Sequence, residues 1–173
     1  MSDTPTLTVR GLQHDDWEEL FALWNSGDIV LNSFEVPYIT EDTFRERFNR
    51  PYPNPHMLIA ETSLPSGRTR LVGVAWMHVM PNRLRHVGQL NVVVHGDYQG
   101  GAVERTLLKT ILDLADRWLD LHRIEVVTYT SSTAAIQLYQ QYGFEIEVTM
   151  KQYAFRDGVY ADAYLMARLR GKS

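Results

Sequence analysis

The chain has 173 residues, with 17 Lys and Arg against 21 Asp and Glu and a formal net charge of −4. That is long enough to bury a full core as one domain spanning residues 1–173, and 45% hydrophobic content is too apolar for a disordered chain. There is no Cys, which excludes disulfides, thiolate metal sites and a Cys nucleophile. The mild acidity argues against a general nucleic-acid binder.

The Met1-Ser-Asp-Thr-Pro5 start has no basic head or apolar run of a signal peptide. No stretch approaches the ~18 apolar residues of a membrane span. The longest candidate, Leu71 to Met80, is broken by Gly73 and His78. These features predict a cytoplasmic protein with no membrane or nucleic-acid partner.

Thr6 to Arg10 alternates as a short strand, and His14 to Asn25 sets Trp17, Leu20, Phe21 and Trp24 at helical spacing. Ser26 to Thr40 reads as irregular, and Glu41 to Arg50 as a short helix stopped by Pro51-Tyr-Pro-Asn-Pro55. Strands follow at Met57–Glu61, Arg70–Met80 and Val87–Val94, separated by turns at Pro65-Ser-Gly67 and Pro81-Asn82, as in an antiparallel meander.

Val103, Leu107, Leu108, Ile111, Leu112, Ala115, Trp118 and Leu119 form one apolar stripe on a helix over Val103–Leu119. Ile124–Thr130 reads as a buried strand, Ser132–Tyr142 as a helix ended by Gly143, and Phe144–Phe155 with Tyr160–Leu169 as a hairpin turning at Asp157-Gly158. The order is βαα–βββ–α–β–α–ββ. It predicts a mixed α/β fold, with a mostly antiparallel twisted sheet of about seven strands and about four helices. The one parallel pairing is expected across the strand–helix–strand unit from Val87 to Thr130.

The chemistry concentrates at Val92-Val-Val-His-Gly-Asp-Tyr-Gln-Gly-Gly-Ala-Val-Glu104. A strand that enters a Gly-rich turn and then a helix N-terminus presents unpaired N–H groups and partial positive charge, which suits a phosphate. It is neither a Walker loop nor a dinucleotide fingerprint. A plain strand–helix turn explains the spacing equally well.

Gln99-Gly-Gly-Ala-Val-Glu104 aligns with a Gln/Arg-x-x-Gly-x-Gly/Ala block, and Ala135-Ile-Gln-Leu-Tyr-Gln-Gln-Tyr-Gly-Phe-Glu145 with A-I-x-L-Y-x-x-x-G-F-E. With these two blocks the sequence resembles the GNAT superfamily of N-acetyltransferases over about residues 6 to 169. Its ending, Tyr153 to Ala167, is similar to the YhhY-like subgroup. The resemblance implies direct acetyl transfer from acetyl-CoA to the primary amine of a small molecule, amino acid or peptide. It implies pyrophosphate on the amides of Gln99, Gly100, Gly101, Ala102, Val103 and Glu104. Pantetheine would lie along Val92, Val93 and Val94, with an amide near Val93 or Val94 polarising the thioester carbonyl. Tyr139 would protonate the leaving thiolate.

The sequence departs from the family pattern at four places. Ala102 replaces Gly, and Glu104 replaces Gly or Ala. At about 6 Å and an effective dielectric of about 20, the Glu104 carboxylate and a phosphate charge would repel by roughly 3 kcal/mol before screening. Ser132 stands where Asn commonly contacts the cofactor, and Gln89 where an acidic general base is common. His86 is a substitute base with a suitable intrinsic pKa. Asn32, Phe34 and Glu35, in the long segment before the second predicted helix, are candidates for acceptor binding.

The six His residues show no metal-ligand spacing, so no metal is expected. The exposed final hairpin could support a homodimer, which is common in this family. Two other readings stay open: a catalytically weak or silent binding module that keeps the fold, and an acyltransferase with a different donor.

Overall fold

The computed structural model describes residues 6–49, 55–64 and 66–171. The proline run expected to stop the second predicted helix lies, except for Pro55, outside the described residues, as do Pro65 of the next turn and the first five residues. The strands are β1 (Leu7–Gly11), β2 (Pro55–Ser63), β3 (Thr69–Val79), β4 (Val87–Val94), β5 (Arg123–Tyr129), β6 (Glu145–Arg156) and β7 (Val159–Leu169). The α-helices are α1 (Trp17–Trp24), α2 (Gly27–Asn32), α3 (Glu41–Asn49), α4 (Ala102–Arg117) and α5 (Thr133–Gln141).

The seven strands form one sheet in the order β1-β2-β3-β4-β5-β7-β6. Every neighbouring pair is antiparallel except β4–β5. That parallel pairing is short: Val87, Gly88 and Gln89 pair with Arg123, Ile124 and Glu125, and the two strands then part. The gap that opens beyond Gln89 positions the site.

Edge strand β6 stays largely exposed, while helices pack on both faces of the sheet. On one, the apolar stripe of α4 buries Leu107, Leu108 and Ile111 against Val72, Ala75, Met77 and Leu90, with Leu138 and Tyr139 of α5 joining that core. On the other, Leu20 and Leu23 of α1, Ile29 of α2 and Phe44 of α3 pack on Ile59, Leu71 and Val74. The Asp157-Gly158 turn adopts φ of 48° and 80°, the positive values that a two-residue hairpin turn requires.

The sequence predicts about four helices, and five α-helices are found among the described residues. The addition is α2, inside the stretch expected to be irregular. Six residues are too few to show a helical period. The Ser26 carbonyl starts this helix by accepting from the Ile29 and Val30 N–H groups, and the buried Ile29 side chain anchors it.

Gly73 lets α4 approach β3. A methyl added there would meet Leu107 Cδ1 at 2.9 Å, Val103 Cγ1 at 3.2 Å and the Val93 carbonyl oxygen at 3.2 Å. Overpacking of this kind costs about 1–3 kcal/mol. Gly73→Ala is therefore expected to lower Tm by roughly 2–12 °C in a chain of this size. A thermal melt followed by circular dichroism checks it, and an unchanged Tm would show that Leu107 yields freely.

Candidate active site

A cleft of about 500 Å³ opens where β4 and β5 separate. Its walls come from Asn91 to Val94 of β4, Val126 to Thr128 of β5, Gln99, Gly100 and Glu104 of the loop and first turn of α4, and Ser131 to Ala135 with Tyr139 of α5. Trp24, Ile29, Asn32, Ser33, Phe34, Glu35 and Trp76 line the remainder.

The direction of each β4 amide follows from its bonding to β3. The Val87 carbonyl accepts from Met80 N–H and the His95 N–H donates to the Val72 carbonyl, each at 2.9 Å. Odd-numbered residues of β4 thus turn their N–H and C=O groups toward β3, and even-numbered ones turn theirs toward β5. Val92 and Val94, past the last β4–β5 pair, present N–H groups to the gap. The expectation for Val93 is corrected, because its amide faces β3. The Val94 carbonyl, on the gap side, accepts from Gln99 Nε2 at 3.2 Å.

The loop amides divide in the same way. Gln99 N–H donates to the Gly96 carbonyl at 3.3 Å, and Gly100 N–H donates to Glu104 Oε2 at 3.0 Å. Neither is open, contrary to the expectation that the amides from Gln99 onward stand free. Among the described residues the N–H groups of Gly101, Ala102, Val103 and Glu104 have no partner, as expected at the start of a helix without a side-chain cap. Together with the dipole of a 16-residue helix they form a positive concavity that fits a diphosphate. Ala102 is absent from the residues with positive φ, so its methyl introduces no backbone strain. Gly100 does need its glycine, at φ 66°.

Tyr139 is 6% exposed, with its ring 5.6 Å from that of Phe144. Among the described residues its hydroxyl has no hydrogen-bond partner, yet it lines the cleft. Burial, reinforced by the Glu104 charge, pushes its pKa above the ordinary phenol value. Ser132 occupies the N-cap position of α5 but makes no side-chain cap bond, which leaves its hydroxyl available at the cleft wall.

Aromatic pairs build the end of the cleft away from α4. The rings of Trp24 and Trp76 lie 5.5 Å apart, and Phe34 lies 4.8 Å from Tyr129. The Tyr129 hydroxyl donates to the Ser33 carbonyl at 3.0 Å and fixes the segment after α2. Glu35 is in the cleft wall, with its carboxylate bonded to Arg47 Nη1 at 2.9 Å. The Arg156 guanidinium sits 4.3 Å over the Tyr129 ring and donates to the Leu31 carbonyl at 2.8 Å.

Asn32, Phe34 and Glu35 thus share one cleft with Val92, Val93, Val94, Gln99, Gly100, Glu104 and Ser132, whereas Gly101, Ala102 and Val103 are not part of its wall, and neither is His86. It precedes β4 at the opposite end, about 20 Å along the strand from Val92 at ~3.3 Å per residue. Its carbonyl accepts from the His122 and Arg123 N–H groups, and its side chain lines a separate depression with Arg83, Arg85 and His122. Gln89, also on β4, is absent from the cleft wall. Sequence reasoning missed Trp24, Trp76 and Asn91. For Asn91 the available signal was a polar residue next to the apolar run Val92-Val-Val94.

The acetyltransferase (GNAT) family description matches residues 13–144. The chain belongs to the GNAT family. It is a GNAT N-acetyltransferase that uses acetyl-CoA as co-substrate and an amine as acceptor. It is 29% identical to the L-amino acid N-acetyltransferase AaaT of Escherichia coli K12, over 95% of this chain and 98% of the relative. It is 26% identical to the spermidine N(1)-acetyltransferase of Vibrio cholerae serotype O1, over 96% of this chain and 94% of the relative. Among solved structures, the spermidine N-acetyltransferase from Vibrio cholerae in complex with CoA and spermine superposes with a TM-score of 0.81. That pair is 25% identical, with 94% of this chain and 95% of the other covered. Among the described residues of this GNAT chain no helix is long and apolar enough to cross a membrane, and no group of three or more His, Asp or Glu could hold a metal.

Proposed function

We propose that this GNAT enzyme acetylates the amine of an amino acid, with an apolar or aromatic side chain, rather than a polyamine. The observation that carries this reading is the Arg47–Glu35 ion pair at 2.9 Å. Among the described residues only Glu35 and Glu104 bring carboxylates to the cleft, and Arg47 already neutralises the one at the aromatic end. A polyamine needs an acidic partner for each distal ammonium group, since burying an unpaired charge is costly. An apolar side chain instead gains from covering Trp24, Trp76 and Phe34. Arg156, beside that end and without a carboxylate partner among the described residues, is the cation for the acceptor's own carboxylate.

The site residues divide the work. The open amides of Gly101 to Glu104 hold the diphosphate, the Val94 amide pairs with pantetheine, and the Val92 amide, next along the gap, polarises the thioester carbonyl. The amine nitrogen bonds to the acetyl carbon as the carbon–sulfur bond breaks. Tyr139 gives its proton to the departing sulfur, and the proton lost by the amine passes to water. His86 has no part in this scheme.

The test is a thiol-release assay over amino acids, monoamines and polyamines. Amino acids with apolar side chains are expected to exceed spermidine in kcat/KM by at least about tenfold, one step of 1.4 kcal/mol. A preference for spermidine would overturn the assignment. Phe34→Ala is expected to raise the acceptor KM about tenfold or more through lost apolar contact, with the dissociation constant for CoA within about twofold.

A further inference from the structure

Resting on that assignment of the phosphate loop, the geometry points to Glu104 as a built-in competitor of the cofactor: its carboxylate holds the Gly100 N–H and must leave before a diphosphate can use it. Glu104 lies in the first turn of α4, four residues after Gly100, and its Oε2 accepts the Gly100 N–H at 3.0 Å. Both residues line the cleft. Gly100 has nothing within 4 Å of the position a Cβ would take, so the space around this amide is open on that side.

The rest of the loop is arranged around this bond. Arg105 Nη1 donates to the Gly100 carbonyl at 3.3 Å, so Glu104 and Arg105, neighbours on α4, hold the two backbone polar groups of one residue. The neighbouring amides of Gly101 to Glu104 remain unpartnered. A carboxylate therefore occupies one corner of a site whose other donors await an anion. The family pattern places Gly or Ala at this position, where no side chain reaches the loop. Here a docking diphosphate meets both a lost donor and a like charge, and both penalties act on affinity.

The consequence is specific to the phosphate-bearing part of the cofactor. Glu104→Gln removes the charge, and Glu104→Ala removes the charge and the hydrogen bond. Each is expected to tighten CoA binding by several-fold to about tenfold, measured by calorimetry on the full chain. Acetyl-pantetheine, which has the thioester arm but no diphosphate, is expected to bind wild type and variants equally.

A different role for Glu104 predicts the opposite result. If its bond to Gly100 holds the loop in its binding shape, Glu104→Ala weakens CoA binding, and the competitor role is overturned. Equal CoA affinity in wild type and both variants overturns it as well, while micromolar CoA binding by all three leaves the loop assignment standing. If neither the wild type nor the variants bind CoA, the loop assignment and the competitor role fail together.

Discussion

Tyr139→Phe is expected to lower kcat by about 10²–10³-fold while the dissociation constant for CoA stays within about threefold. The ring is packed against Phe144 and all but buried, so Phe fills the same volume and only the hydroxyl is lost. That hydroxyl has no partner among the described residues, and Tyr139 lines the same cleft as Val92 and Val94, so it is free to donate to an incoming atom. Burial and the Glu104 charge disfavour the phenolate, so the pKa is raised and the proton stays on the oxygen at every working pH. A thiolate of ordinary pKa near 8.5 leaves poorly at neutral pH without that proton, and a positioned general acid contributes roughly 10²–10⁴ in rate. The sign of the shift adds a check. A raised pKa keeps the acid form populated further into alkali, so the kcat profile should show no loss through Tyr139 below about pH 10. Wild-type turnover in the Phe variant would remove Tyr139 from the chemistry, and a large loss of CoA affinity would make it a binding group.

The periodic parts of this fold were legible in the sequence because their signal is local. The stripe on α4 repeats through four turns, and Asp157-Gly158 supplies both residues that a tight hairpin turn needs. The small helix α2 was not legible, since among its described side chains it buries only Ile29 and it is shorter than two periods. Strand ends shifted for a related reason. β2 runs on to Ser63 through a register slip between Ala60 and Glu61, which alternation alone cannot show.

Within the site, a Gly-rich turn between a strand and a helix was readable from the sequence, but the bonding of its amides was not. Which β4 amides face the gap depends on which edge β3 occupies, a long-range fact that separates Val93 from Val92 and Val94. The misplacement of His86 has the same origin. Three residues from Gln89 looks close in sequence, but the strand carries His86 away from the cleft at ~3.3 Å per step. Trp24 reads as one more apolar residue on α1, and only the packing of that helix beside Trp76 turns it into cleft wall.

The amide parity also makes the second large expected effect. Val92→Pro deletes a single N–H at the point where β4 has parted from β5, and it should reduce kcat by about 10²–10³-fold, the usual cost of one oxyanion donor. The substitution is tolerable there because the lost N–H faces the gap and takes no part in the β3 ladder, so no sheet hydrogen bond is broken. Proline also favours extended backbone in Asn91 before it, which that residue already adopts as part of the strand. Val92 is half-buried against the α4 core, so some packing is lost as well. Val92→Ala separates the two effects: it gives up similar apolar contact but keeps the N–H, and its kcat should remain within a few-fold of wild type. A proline variant that melts near the alanine variant yet turns over at least a hundredfold more slowly assigns the loss to the amide. Equal kcat in the two variants would move the polarising donor elsewhere, with Val94, the other even-numbered amide on the open edge, the next to replace.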